Sequence, residues 1–423
     1  MLGYLGGGTG VAAQTLAILH NFGGNGDGAN SFAGLIADTA GNLYGTTEQG
    51  GASGGGTVFK LTPARSESVL YNFPGFPGDG AAPLAGLIAD AAGNLYGTTF
   101  SGGANGFGAI FRLTPADGES LLYSFAGAPG DGANPLAGLI TDTAGNLYGT
   151  TEQGGGDGFG TVFKLTPEGG ESLLQSFAGF PGDGAAPLAG MIADTAGNLY
   201  GTTFSGGASG LGTVFKLTPE GAESVLYSFG GGDGALPRAG LILDTAGNLY
   251  GSTFSGGASG FGTVFKLTPT GSESILHSFA GAPGDGAFPY AGLIADAAGN
   301  LYGTTAQGGA NGLGTVFKLT PMGNESVLHS FAGAPGDGAN PFAGLIADAA
   351  GNLYGTTYYG GANDAGTVFE FAVFAGSPGS ADCVGKSISA LARTYGGIAK
   401  AAAALRFAGV AALHDAVAAY CRG

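Results

Sequence analysis

One phrase, Gly-Asn-Leu-Tyr-Gly-(Thr/Ser)-Thr, occurs seven times in this chain, with its tyrosine at Tyr44, Tyr96, Tyr148, Tyr200, Tyr250, Tyr302 and Tyr354. The spacing is 52 residues throughout except for one step of 50, between Tyr200 and Tyr250. A fixed period of this size restricts a chain to a propeller or a solenoid, because one unit cannot bury its apolar face and must stack on copies of itself. The abundance of glycine, 91 of 423 residues, has the same origin. It sits at fixed offsets in every copy, where turns require it, rather than being scattered as in low-complexity disorder.

Each copy contains four short segments rich in β-branched and aromatic residues and bounded by Gly, Pro, Asp or Asn; in the second copy they are residues 68–73, 86–89, 94–99 and 109–113. Four short antiparallel strands per repeat describe a propeller blade. Between them, Asp38-Thr-Ala-Gly41-Asn42 and its equivalents, beginning at Asp90, Asp142, Asp194, Asp244, Asp296 and Asp348, read as tight hairpins with Gly at the positive-φ position. With Gly-Leu-Ile-Ala innermost and Ser-Val-Leu-Tyr-Ser-Phe outermost, the chain opens on an outer strand at residues 17–22 and ends on a third strand at residues 367–371. One blade is then shared between the termini, which removes exposed sheet edges. The expected fold is an all-β, seven-bladed propeller of four-stranded antiparallel blades, closed by pairing of its terminal strands, with a small α-helical C-terminal appendage. Its expected divisions are an extension at 1–14, a propeller at 15–374 and a tail at 380–423.

In that tail, residues 386–395, 398–407 and 410–420 carry apolar side chains at helical spacing, separated by glycines. The two cysteines of the chain, Cys383 and Cys421, bracket the segment and are expected to form a disulfide, the kind of staple so small a helical unit needs. They lack the CxxC spacing of a metal site. A disulfide implies an oxidising compartment. No basic residue precedes the apolar residues 2–5, so no signal peptide is visible, and no apolar run is long enough to span a membrane.

The net charge is −17, while the tail, with Lys386, Arg393, Lys400, Arg406 and Arg422, is basic. An acidic body argues against nucleic acid as a partner. The turn aspartates read as Asx turns. So does the Gly-Asp-Gly set Asp27, Asp79, Asp131, Asp183, Asp233, Asp285 and Asp337, since no copy has a D-x-D-x-D-G calcium pattern. His20, His277 and His329 share an outer-strand position with Tyr and Gln and read as packing residues, and Lys60/Glu67-type pairs read as exposed ion pairs. No metal or cofactor is expected.

Strand alternation puts the short turns on one face and the long loops, residues 75–83 and 100–108, on the other, and long loops on a rigid scaffold carry function. There the copies differ. Phe100, Phe204, Phe254 and Tyr358 alternate with Glu48, Glu152 and Ala306. Phe107, Phe159 and Phe261 alternate with Gly55, Leu211, Leu313 and Ala365. Arg238, Tyr290, Phe32 and Phe342 replace leucine. The candidate ligand-binding residues are Phe100, Phe107, Phe159, Phe204, Phe254, Phe261, Tyr290 and Tyr358; as loop aromatics they either form clefts for a sugar or peptide or plug the gaps between blades.

The unit GNLYGTT-x-x-GG-x4-GTVFKLTP, followed by a Leu-Tyr-Ser-Phe strand and Gly-Asp-Gly, resembles the GloVer tandem repeat of bacterial choice-of-anchor proteins over about residues 16–371. The resemblance implies an exported, surface-associated propeller and supplies no catalytic residues. The expectation is a monomeric, non-catalytic binding or scaffold module, extracellular or at the cell surface, whose long-loop face takes a glycan or another envelope component. Three alternatives stay open: a lectin-like propeller, weakened by the absence of Trp; a polysaccharide-active enzyme with a carboxylate site at the axial mouth; and a spacer attached by its tail.

Overall fold

A computed structural model describes residues 16–24, 26–115, 118–349 and 351–371, together with residues 384, 387–388, 391–392, 397–404 and 409–422 of the C-terminal segment. It is a seven-bladed propeller of four-stranded antiparallel sheets. In the first complete blade the order from the axis outwards is Ile36–Ala37, Leu43–Thr47, Thr57–Leu61 and Glu67–Asn72. The inner strand is shorter than the four residues its apolar run suggests: only Ile36 and Ala37 pair with Tyr44 and Leu43 before the turn at Asp38 begins. The seventh sheet joins Leu16–Asn21 to Thr367–Phe371, so the first strand is the outer strand of the last blade.

Burial falls off from the second strand to the fourth, and the sequence shows why. Leu43, Gly45, Thr46 and Thr47 are buried, as are four of the five residues of Thr57–Leu61, whereas Glu67–Asn72 is only half-covered. The core lies between blades. In six cases the phenylalanine after an outer strand packs edge-to-face on the third-strand phenylalanine of the next blade, as in Phe73–Phe111 at 5.1 Å and Phe125–Phe163 at 5.2 Å, a geometry worth about 0.5–1.5 kcal/mol per pair beyond area burial. The glycine of Leu-Tyr-Gly-Thr-Thr makes room for that ring: a Cβ at Gly149 would lie 2.5 Å from the ζ carbon of Phe163. In the six complete blades the third and outer strand pair also carries a bulge, between Val162 and Phe163 for example, which increases local twist.

A hydroxyl on the second strand ties each blade to the segment leading into the inner strand of the next. Thr46 donates to the carbonyl of Ala85, Thr98 to Ala137, Thr150 to Ala189, Thr202 to Ala239, Ser252 to Ala291 and Thr304 to Ala343. At the axis, Gly34, Gly86, Gly138, Gly190, Gly240, Gly292 and Gly344 form a ring in which each α carbon faces the preceding glycine's carbonyl, Gly34 facing Gly344. The wheel is therefore closed.

By its contacts the chain falls into two units, Ile18–Ile346 with Gly355–Val368, and Met1–Ala17 with Ala347–Tyr354 and Phe369–Gly423. In the second unit, helices α1 (Ile398–Ala404) and α2 (Val410–Arg422) share a small core in which Leu391, Ala401, Ala402, Leu413 and Val417 pack with Ala17. The helix expected at 386–395 falls largely outside the described residues. So does the Cys383–Cys421 disulfide, since Cys383 and the Cys421 side chain are not among them. Among the described residues no helix is long and apolar enough to cross a membrane.

Candidate functional site at the axial mouth

The repeat builds both faces from the same local chemistry. On the short-turn face, Asp142 Oδ1 accepts from the amides of Ala144 and Asn146, and Oδ2 from the Asn146 side chain and the Tyr148 hydroxyl, at 2.7–3.0 Å. Gly145, at φ 81°, closes the turn. Burial opposes ionisation of Asp142, but the bonds from Asn146, Tyr148 and Ala144 outweigh it and hold the carboxyl below its ordinary value. Asp142 is thus an Asx turn, and Asn146 and Tyr148 recur with it because they complete its coordination.

On the long-loop side the Gly-Asp-Gly aspartates are also turn builders. Asp131 takes the amides of Ala126 and Gly132 and the hydroxyl of Tyr123. His20, His277 and His329 occupy the tyrosine's place and bond Asp27, Asp285 and Asp337 at 2.9–3.2 Å. They are therefore polar partners of an aspartate rather than simple packing residues. The expected Lys60–Glu67 ion pair does not form. Lys60 pairs across the ladder with Ser68 and Glu67 with Leu61, so adjacent positions direct them to opposite sides of the sheet. Glu67 and its equivalents instead face the preceding blade's Gly-Asp-Gly aspartate. In six copies the Oε1 atom is buried without a hydrogen-bond partner. Burial, followed by repulsion from Asp131, pushes the Glu171 carboxyl up to about 7. His20, Asp27 and Glu67 bring donor atoms within 4.8 Å of one another, the one set among the described residues close enough to hold a cation. The donors come from two outer strands and a loop, which is why no contiguous motif announces them.

The sevenfold pattern breaks around the axis on the long-loop face. A cavity of about 140 Å³ is ringed by the Ala-Gly pairs of all seven inner segments and by Phe32, Leu84, Leu136, Leu188, Arg238, Tyr290 and Phe342. One side of this ring is aliphatic and the other aromatic. Arg238 sits over three rings, with its guanidinium carbon 4.5 Å from the centroid of Phe204, 5.1 Å from Phe254 and 4.7 Å from Tyr290, and donates to the Tyr290 hydroxyl. Its Nε is buried with no acceptor in the protein. Rings then run in contact from Phe261 through Phe288, Phe254, Tyr290 and Phe342 to Phe32 and Tyr358, at centroid separations of 5.0–5.8 Å. Tyr358 donates to Glu48 at 2.7 Å. Burial holds the Glu152 carboxyl above its ordinary value, with the Arg238 charge opposing.

Of the residues singled out in the sequence, Phe204, Phe254, Phe261, Tyr290 and Tyr358 belong to this assembly. Phe107 and Phe159 stand apart as exposed rings over Gly127 and Gly179, and Phe100 makes no ring contact with the assembly among the described residues. Phe288 was missed. It holds a left-handed conformation, φ 57°, shared by Asn30, Ala82, Asn134, Ala186, Leu236 and Asn340. All but Asn30, which precedes Ser31, stand just before a loop proline, so a phenylalanine where the other copies carry Asn, Ala or Leu is the available signal. The two-residue deletion responsible for the 50-residue step falls in the loop leading to Arg238.

A family model described as the Gloeobacter/Verrucomicrobia repeat matches residues 9–203 and again 187–381. None of the curated proteins matches the chain. Among solved structures, a streptogramin B lyase is 14% identical with a TM-score of 0.57, over 85% of this chain and 99% of that one. The extracellular domain of the one component system BT4673 from B. thetaiotaomicron is 14% identical with a TM-score of 0.56, over 86% of this chain and 43% of that one. A puromycin hydrolase is 15% identical with a TM-score of 0.50, over 77% and 49%. At these identities the likeness is one of fold.

Proposed function

This chain belongs to the Gloeobacter/Verrucomicrobia repeat family, and from that premise we propose that it is a non-catalytic recognition module of the cell exterior whose ligand enters the axial mouth of the long-loop face. The observation that carries this reading is Arg238. A scaffold that repeats itself seven times departs from symmetry where a guanidinium is held among Phe204, Phe254 and Tyr290. Packing fixes its geometry, and one N–H is left without an acceptor. A buried donor of that kind favours a ligand that brings an oxygen acceptor, and the adjoining rings favour one with a flat apolar face. A sugar residue of an envelope glycan has both.

The test is a glycan array followed by titration calorimetry on the strongest hit, comparing the native protein with Arg238→Leu. A tenfold or larger loss in the variant supports the reading; unchanged affinity overturns it. A second reading, a polysaccharide-cleaving enzyme, is favoured by Glu48 and Glu152, which put carboxylates where other blades carry Phe, Tyr or Ala, Glu152 being shifted toward the range of a general acid. Release of reducing ends from any polysaccharide, abolished by Glu152→Gln, would establish that reading instead.

A further inference from the structure

A separate set of cavities lies on the opposite, short-turn face, and its features do not depend on the axial mouth. Between the third and fourth complete blades is a cleft of about 640 Å³, with Tyr148, Lys164 and Leu174 on one side and Asp194, Leu199 and Pro219 on the other. Between the first and second is one of about 410 Å³, with Tyr44, Lys60 and Leu70 facing Leu95, Leu113 and Pro115. Both volumes fall in the range of about 300–1,000 Å³ typical of small-molecule sites. The same sequence positions build both, so the cleft is a property of the repeat.

Three observations define what such a cleft can hold. First, the lysine is available. Lys60, Lys164, Lys216, Lys266 and Lys318 each place the ammonium over the tyrosine of their own blade, 5.5–5.7 Å from the ring centroid. None has a carboxylate within salt-bridge distance among the described residues. Second, leucine and proline side chains form part of each wall beside threonines, and Leu70 is 39% exposed although it lines the cleft. Third, the turn aspartates beside the lysines are held ionised by their hydrogen bonds, so the clefts are not net positive and the body as a whole is acidic. A polyanion is repelled from such a surface. A neutral ring compound with hydroxyl and ether oxygens along its edge and a C–H face meets every requirement.

Six copies carry the pair of tyrosine and base, with Arg112 beside Tyr96 in the second. In the seventh the base is Glu370, buried at 2% exposure and receiving the Tyr354 hydroxyl, and its turn residue Asn352 is buried at 3%. That copy lacks the ammonium donor. We infer that the five base-bearing clefts between the six complete blades of the short-turn face are repeated subsites for a neutral polysaccharide, each taking one or two sugar units through its Lys or Arg donor and its leucine and proline walls. Repetition matters because several weak subsites on one rigid ring raise apparent affinity by about 10²–10⁴ for a polymer that presents the same unit repeatedly.

The test is affinity electrophoresis of the full chain through gels containing dextran, xyloglucan, galactomannan or polygalacturonate. The native protein is run beside the triple variant Lys60→Met, Lys164→Met, Lys216→Met, and beside Arg238→Leu. The expected result is retardation by at least one neutral polymer, reduced at least tenfold in apparent affinity in the triple variant and retained in Arg238→Leu. Lys164→Met alone, expected to give a smaller loss in the same direction, keeps the test decisive should the triple variant fail to fold. No retardation by any neutral polymer, retardation by polygalacturonate alone, or retardation unchanged by the lysine substitutions overturns the inference. Retardation lost only in Arg238→Leu assigns the polymer to the axial mouth and overturns the cleft subsites while leaving the proposed function standing.

Discussion

The hydroxyl of Thr356 donates a 3.0 Å hydrogen bond to the carbonyl of Ala33, 323 residues earlier in the chain. It is the same bond that Thr150 makes to Ala189 at 3.1 Å, only 39 residues apart. Asn363 and Ala362 add bonds from the last blade to the Phe22 carbonyl and the Asn21 side chain. If the seam is equivalent to every internal joint, Thr356→Val and Thr150→Val should destabilise alike, by about 1–2 kcal/mol each, because each leaves a buried carbonyl without its donor. Urea unfolding midpoints measure this, and a Thr356→Val variant as stable as the native protein would mean the seam carries no load.

Stability should decline as pH rises from about 4.5 to 7. The carboxyls of Glu119, Glu171, Glu223, Glu273 and Glu325 are pushed up to about 7 from an ordinary 4.5, by burial first and by a neighbouring aspartate second. In that window the folded chain binds more protons than the unfolded one, so raising the pH favours unfolding. The turn aspartates act oppositely: their values are lowered from 3.8, and their contribution is lost as pH falls below that. The highest melting temperature is therefore expected at about pH 4–5. Replacing the five glutamates with glutamine should flatten the neutral side of the profile and leave the acid side intact. A melting temperature that is constant from pH 4.5 to 7 in the native protein contradicts this account.

Gly149→Ala should be among the more damaging single-methyl additions, costing about 1–3 kcal/mol through overpacking against Phe163. A Cβ at Gly158 meets nothing within 4 Å, but φ there is 83°, so Gly158→Ala is strained for a different reason. Comparing both in Phe163→Leu separates the two causes. The smaller ring should rescue the first substitution and not the second.

Asp142→Ala removes the acceptor of four hydrogen bonds. The site is half-buried, so water replaces part of what is lost, and a cost of about 1–2 kcal/mol is expected. Hydrogen exchange should show faster exchange at the amides of Ala144 and Asn146, with the opposite-face amide of Gly132 unchanged.

The fold was legible because every level of the sequence repeats the same instruction. Gly-Asn-Leu-Tyr fixes a turn and the strand after it, and a chain beginning at an outer strand and ending at a third has one economical closure. Where pairing depends on which side of a strand a residue faces, composition misled. Lys60 and Glu67 looked like an ion pair because they are near in sequence, yet alternation separates them. The histidines looked like packing residues because they share a position with Tyr and Gln, yet what they share with Tyr is a polar tip that reaches an aspartate seven or eight residues on. Arg238 stood out as a leucine replacement, but its three ring partners come from two loop positions in three successive copies, which only the assembled wheel brings together. No local pattern encodes such a convergence.

The missing pair of residues ahead of Arg238 bears on how this architecture can change. The blades on either side keep the register of their neighbours, Leu199 opposite Leu217 and Leu249 opposite Leu267, although the span between them is shorter. Length variation beside the hub is thus absorbed without retuning the spokes. Segments there could be exchanged for foreign ones, blade by blade, to give the same hub a new specificity while the framework folds as before.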